Sequence, residues 1–343
     1  MSSNFIDPTI PLIDLHRHLD GSVRLQTILE IGEAFGLPLP AGDVEGLRPF
    51  VQVTTAQPGV MAFIARFEWM TKILVNEEVC RRVAYECVED LKNEGIDYAE
   101  LRFSPLFMAE SHHLDPVAVI DAVVDGVRSA SRQFDLPVNL IGIISRTYGP
   151  EICQKELKAI LSRKDAFVAV DLAGDEANYP AEWYASHFKQ VRDAGLRVTI
   201  HAGESAGAAS IWQAIKLLGA ERIGHAVHAV EDEPLLDFMA HFQIAVEANL
   251  TSNVQTSTVA GYEQHPTRLF LEKGICVTLN TDDPGISAIT LPYEYNVAAP
   301  QAGLNREQIR QLQKNALQAA FITSQQKSEL LKKKSLNQNS ENI

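Results

Sequence analysis

Eight times along this chain a short run of β-favouring apolar residues gives way to a helical pattern, and few folds accept that rhythm. The runs are IPLIDLH (10–16), DYAELRF (97–103), VNLIGII (138–144), FVAVDLA (167–173), LRVTIH (196–201), RIGHAV (222–227), QIAVEA (243–248) and ICVTLNT (275–281). Runs this apolar, rich in Val and Ile, suit strands buried on both faces of a parallel sheet. Helical patterns such as 117–134 and 208–219 fall between them. The alternation predicts an α/β fold, a (β/α)8 TIM-type barrel. An open doubly wound sheet is the alternative, but no G-x-G-x-x-G follows the first run.

One spacing is too long for a plain barrel. About eighty residues separate the first two runs, where a βαβ unit needs about thirty. The insertion, about 22–95, holds helical patterns near 23–36, 57–75 and 77–94 and leaves the C-terminal end of the first strand. It is therefore expected as a helical lid over the barrel mouth, within a single domain spanning 1–343. Helices at 304–322 and 324–334 are expected to close the fold. The polar segment at about 335–343 reads as a frayed tail, and Lys332, Lys333 and Lys334 read as a solvated helix end.

Composition narrows the partners. With 30 Lys+Arg against 44 Asp+Glu, the net charge is −14. Such a surface repels nucleic-acid backbones and anionic lipid. No apolar run reaches the ~18 residues of a membrane span, and the first residues lack the pattern of a secretory signal. The four cysteines are scattered without a C-x-x-C pair. They read as free thiols of a cytoplasmic protein.

Active sites of such barrels lie where strands end. The first run leads into His16-Arg17-His18 and then Leu19-Asp20-Gly21. The fifth ends in His201, followed by Ala202-Gly203-Glu204. The sixth carries Gly224-His225, and the eighth ends in Thr281-Asp282-Asp283-Pro284. Four of the ten histidines thus gather at one end of the strands. Residues two apart on a strand share a face, so His16 and His18 point the same way. That pair alone is a weak signal, since hydrogen-bonded core histidines give the same spacing. With His201 and Asp282 it becomes a donor set suited to Zn2+, which lowers the pKa of bound water toward ~7. Glu204, just past its strand, suits a proton-shuttling acid, against a plainer role beside a helix N-terminus. His225 reads equally as a further ligand, a base, or an electrostatic anchor for hydroxide. Asp283 alternates with Asp282, but Pro284 bends the chain so that both carboxylates can reach the site.

Gly203-Glu204-Ser205-Ala206-Gly207 also fits the G-x-S-x-G nucleophile elbow. No histidine follows His265, so Asp282 and Asp283 cannot precede a triad histidine; only Asp232 with His241 remains on paper. The other six histidines read as surface or structural, and the aromatics of MAFIARFEWM (61–70) as core packing, with Phe63, Phe67 or Trp69 also available to a substrate face.

Taken together, the motifs resemble the bacterial adenosine deaminase family of the zinc-dependent amidohydrolase superfamily. They are His16-Arg17-His18-Leu19-Asp20-Gly21, Leu101-Arg102-Phe103-Ser104-Pro105, Asp171-Leu172-Ala173-Gly174-Asp175-Glu176, His201-Ala202-Gly203-Glu204, Gly224-His225, Leu250-Thr251-Ser252-Asn253 and Asn280-Thr281-Asp282-Asp283-Pro284. They span residues 11 to about 322. The cysteine motif of the helical H-x-E deaminases is absent.

The resemblance implies one zinc held by His16, His18, His201 and Asp282. It implies that Glu204 protonates N1 of the purine while zinc-bound hydroxide adds to C6, oriented by His225. His18, Asp20, Gly174 and Asp283 would contact substrate: Asp283 at N7, the Gly174 N–H at N3, Asp20 at the ribose 5′-hydroxyl. The implied partner is a small purine nucleoside, adenosine or 2′-deoxyadenosine, converted to the inosine analogue and ammonia in purine salvage. Free-base relatives usually carry Glu where this chain has Asp20. Deamination of adenine or of a modified adenosine is the alternative, and an inactive binding protein on the same scaffold is the rival from another class. Two departures from the pattern are Ala226, where many relatives have glycine, and Val246-Glu247-Ala248-Asn249 ahead of Leu250.

Overall fold

Eight parallel strands pair in sequence order: β1 (Ile13–His18), β2 (Tyr98–Phe103), β3 (Val138–Ser145), β4 (Phe167–Ala173), β5 (Arg197–Ala202), β6 (Arg222–His225), β7 (Ala245–Ala248) and β8 (Val277–Leu279). The computed structural model describes residues 4–53 and 55–341. The ring closes beyond the end of β8. The His18 N–H donates to the Asp282 carbonyl and the Asp282 N–H to that of His16, both at 2.8 Å. Asn280 helps, accepting from the Leu15 N–H through Oδ1 at 3.1 Å. This is the expected (β/α)8 barrel; the doubly wound alternative is excluded.

The strands are buried throughout, but they alternate more than their apolar runs suggest. Leu101, Val170, Ile200, Ile223, Val246 and Leu279 join one continuous apolar layer with the surrounding helices. Between them Glu100, Arg102, Asp171, Thr199, Arg222, Glu247 and Thr278 are fully or nearly fully buried. All but Thr278, which bonds Asn280, bond to one another instead of filling the barrel with aliphatic side chains. The Arg102 guanidinium reaches Asp171 and Glu247, each at 2.8 Å. Arg222 reaches Glu247 at 2.6 Å and Glu100 at 2.7 Å.

The segment between β1 and β2 holds helices Leu25–Phe35, Val44–Val51, Val60–Ile64, Glu68–Lys72 and Glu77–Asn93. The second was not anticipated, because Gly46 and Pro49 break its helical pattern; the Asp43 carboxylate caps it through the Gly46 N–H. Val60, Phe63, Ile64 and Phe67 border the cavity at the barrel mouth. The long helix Glu77–Asn93 instead joins Pro116–Phe134 in the outer apolar layer, so the covering part is shorter than the 22–95 insertion. The covering part is fastened across the mouth. The Val53 N–H donates to the Ile286 carbonyl at 2.8 Å and the Gln57 N–H to that of Gln255 at 2.7 Å.

Helix 208–219 forms as Ala208–Gln213 continued by a π-type turn, Ala214–Leu218, and stops at Gly219. The closing helices are Arg306–Ala319, begun by a capping box of Asn305 and Gln308, and Ser324–Glu341. The segment expected to fray from 335 is thus helical through Glu341; residues 342 and 343 lie outside the described residues. Nor is the lysine run simply solvated. Lys333 pairs with Asp135 and Lys334 with Asp97, each at 2.7 Å, tying the helix to the rest of the chain.

Candidate active site

Strand ends β1, β5 and β6 and the turn after β8 converge on one point. His16, His18, His201 and Asp282 each present one ligand atom there, all within 4.8 Å of one another. His16 Nε2 lies 3.1 Å and His18 Nε2 3.3 Å from Asp282 Oδ1. The Nε2 atoms of His18 and His201 face each other at 3.2 Å. The crowding depends on glycine. A Cβ at Gly224 would stand 2.9 Å from His16 Cε1, and one at Gly21 only 1.9 Å from Asp283 Oδ1.

Two of the three rings are anchored on their far side. His16 Nδ1 bonds Glu247 at 2.7 Å, and His201 Nδ1 bonds Asp171 at 2.9 Å. Arg102 joins those two carboxylates from below. In His16 and His201 the Nδ1–H is therefore committed to a carboxylate and the Nε2 lone pair is turned to the common point, the arrangement of a metal-binding histidine. Burial pushes the His201 pKa down to about 3, so it is a neutral donor. His16 Nε2 is buried and makes no hydrogen bond among the described residues. Burial opposes a charge on His18, yet the carboxylates of Asp283, Asp20 and Asp282 raise its pKa well above the ordinary value. Such a surplus of negative charge suits a cation better than a proton. Three imidazoles and a carboxylate fit a divalent metal of zinc type.

Burial would push Asp282 up, but the imidazoles of His225 and His16 prevail and hold it ionised. Its neighbour Asp283 goes the other way, raised by burial and then by the Asp282 charge. Glu204 is likewise raised well above the carboxylate range, by burial first and then by Asp282 and Glu176. Two carboxyl pKa values are thus pushed up beside one that is pushed down, a divergence of the kind that acid–base sites show.

The cavity above these groups has two parts. About 70 Å³ is lined by His201, Glu204, His225, Asp282 and Asp283. About 300 Å³ more is lined by Asp20, Ser104, Phe107, Thr147 and Tyr148. His18, Ile64, Phe67, Ala173 and Gly174 border both. Asp20 Oδ1 and Asp283 Oδ1 are buried without a hydrogen-bond partner among the described residues. Phe63 and Phe67 take both parts foreseen for them, packing in the core and facing the cavity. Trp69 does not border either part of the cavity.

Backbone strain concentrates here. His225 has φ 66°, Ala226 φ 54° and Asp282 φ 62°, a left-handed region that costs an L-residue about 1–2 kcal/mol. At Ala226 a glycine would take the same positive φ without that cost.

Several site residues were invisible to spacing. Glu247 sits inside an apolar run and reaches His16 only once β7 stands near β1 across the barrel. Arg102, Asp171 and Glu176 lie in motifs but carried no role. The Glu176 carboxylate accepts from the N–H groups of Gly203, Glu204, Ser205 and Ala206 at 2.6, 3.1, 2.8 and 3.1 Å, holding the turn that carries Glu204. The elbow reading is excluded: Ser205 and His241 are exposed, while Asp232 caps the helix Glu233–Phe242 and accepts from Trp212 Nε1. His112 and His187 bond backbone carbonyls and His228 pairs with Glu231, as expected of structural histidines.

Residues 11–335 match the model of the adenosine deaminase family. The chain is 57% identical over 328 residues to an adenosine deaminase of Vibrio parahaemolyticus, covering 96% of this chain and 98% of the relative. It is 56% identical over 331 residues to one of Vibrio cholerae, covering 96% and 99%. The crystal structure of an adenine deaminase from Arthrobacter aurescens superposes with a TM-score of 0.88 at 22% identity, over 95% of this chain and 98% of that one, a likeness of fold alone. No described helix is long and apolar enough to cross a membrane.

Proposed function

Because the chain belongs to the adenosine deaminase family, we propose that it hydrolyses the 6-amino group of adenosine and 2′-deoxyadenosine, releasing ammonia and the inosine product. The observation that carries this reading is the meeting of His16, His18, His201 and Asp282 at one point, with Glu204, His225 and Asp283 on the wall of the same cavity.

We assign one Zn2+ to those four ligands. Bound there, the metal would acidify a water and so supply hydroxide at neutral pH. The rest falls to this chain's own groups. Glu204, protonated, donates to purine N1 and makes C6 more electrophilic. His225, whose Nε2 lies 3.8 Å from Asp282 Oδ2, orients the attacking oxygen. Asp283 donates to N7 and the Gly174 N–H to N3. His18 borders the substrate as well as the metal. Asp20 receives the ribose 5′-hydroxyl in the larger part of the cavity, and the segment Val60–Phe67 excludes water as a lid. Four buried free cysteines fit a reducing cytoplasm.

The test is metal analysis of the purified protein, followed by ultraviolet assay of adenosine before and after chelation. About one zinc per chain, loss of turnover with the metal, and recovery on adding zinc are expected. Full turnover by metal-free protein would end the proposal. Adenine should be the poorer substrate. Without ribose, Asp20 stays buried and unpaired, at about 1–3 kcal/mol, or roughly ten- to a hundredfold in kcat/KM. Equal turnover of adenine and adenosine would reverse that ranking.

The Glu176 clamp gives a further expectation. Glu176→Ala frees four N–H groups beneath Glu204 and should lower kcat by about ten- to a hundredfold at unchanged zinc content. Wild-type kcat in that variant would show that other contacts hold the turn.

A further inference from the structure

Behind His225 runs a buried chain of polar groups that the reading above does not use. His225 Nδ1 meets Asn253 Nδ2 at 2.9 Å. Asn253 Oδ1 meets His265 Nε2 at 3.1 Å. His265 Nδ1 in turn faces the Thr267 N–H at 3.3 Å and its hydroxyl at 2.8 Å. Asn253 and His265 are 0% and 4% exposed.

One member of this chain has no choice of role: a backbone N–H only donates. His265 Nδ1 must therefore accept, and a neutral ring that accepts at Nδ1 carries its proton on Nε2. Burial pushes the His265 pKa down to about 3, so the ring is neutral. Its Nε2–H then donates to Asn253, which fixes the Asn253 oxygen on that side and its NH2 on the other. The reverse amide orientation would need His265 to accept at both nitrogens, which a neutral imidazole cannot do. Asn253 Nδ2 consequently donates to His225 Nδ1.

We propose that Thr267, His265 and Asn253 form a relay that fixes His225 as the tautomer protonated on Nε2, the nitrogen nearer Asp282. His225 then offers the site an N–H and not a lone pair. It is not a further metal ligand, and with Nε2 already carrying hydrogen that nitrogen takes no proton from water; it holds and orients the incoming oxygen as a hydrogen-bond donor. This decides among the three roles that the sequence leaves open for His225. Asn253 is a positioning residue, acting through His225. The consequence for turnover rests on the deaminase reading, whereas the tautomer does not.

Heteronuclear NMR of isotopically labelled histidine nitrogens tests this on the full chain, metal-free and zinc-loaded, with His225→Asn assigning the resonance. The wild-type spectrum should show protonated Nε2 and bare Nδ1 for His225. Asn253→Asp places an oxygen-only acceptor at Nδ1. It should move the proton to Nδ1 and lower kcat by about a hundredfold, with KM within about threefold and zinc retained. A wild-type His225 protonated on Nδ1 would overturn the relay, whether or not the variant folds. So would an Asn253→Asp protein whose kcat stays within about threefold of wild type. Failure of the wild type to deaminate adenosine would overturn the functional reading instead and leave the NMR result standing.

Discussion

Replacing Glu204 with glutamine is expected to lower kcat by about 10²–10⁴-fold while leaving zinc content unchanged. The amide has the carboxyl's shape but cannot release a proton to N1. The carboxyl can, because burial and then the charges of Asp282 and Glu176 push its pKa well above the usual range and favour its protonated form. The sign follows directly: activity that needs this proton is full below the raised pKa and falls as pH rises through it. Since Glu204 binds no metal in this scheme, the variant separates the acid from the ligands. Asp282→Ala, by contrast, should lose metal first. Steady-state kinetics with metal analysis checks both. A Glu204→Gln protein turning over within about threefold of wild type would remove the acid role.

The second large effect is on folding. Glu247 is fully buried between Arg102, Arg222, Thr199 and His16. Removing the carboxylate in Glu247→Ala leaves two buried guanidinium groups short of a counter-ion, a loss of about 3–5 kcal/mol. Against a domain stability of about 5–15 kcal/mol, much of the protein should misfold at growth temperature, and the folded remainder should bind zinc more weakly. Burial alone would raise the Glu247 pKa, but Arg102 and Arg222 hold it well below the ordinary value. Its contribution is therefore present above the unfolded-chain pKa of about 4.3 and is lost as pH falls through the folded value. Glu247→Gln should accordingly be less stable at neutral pH, with a flatter dependence on pH in the acid range. Denaturant titrations at neutral pH and at about pH 3, below the unfolded-chain value, measure this. Equal stability of Glu247→Ala and wild type would show that the arginines find other partners.

The buried ionic layer marks where sequence reasoning stopped. A glutamate in QIAVEA or an arginine in LRF reads as one polar interruption in an apolar strand. Its partners sit on other strands, far off in sequence, and meet only when the barrel closes. The same holds for Asn253 and His265, which looked like a motif residue and a structural histidine. Their hydrogen bonds give them a direction, and through it a part in orienting His225.

What the sequence determined by itself was local and periodic. The strand–helix alternation specified the barrel. The two-residue repeat put His16 and His18 on one face, and the strand ends named His201, Glu204, His225, Asp282 and Asp283. Those features survive in a linear text because each depends on neighbours two to four residues away. Which carboxylate anchors which imidazole, which acid keeps its proton, and which nitrogen of His225 carries hydrogen depend on distances between strands remote in the chain. Coulomb interactions, desolvation and hydrogen-bond direction take their values only in the folded barrel, so the tertiary structure alone decided them.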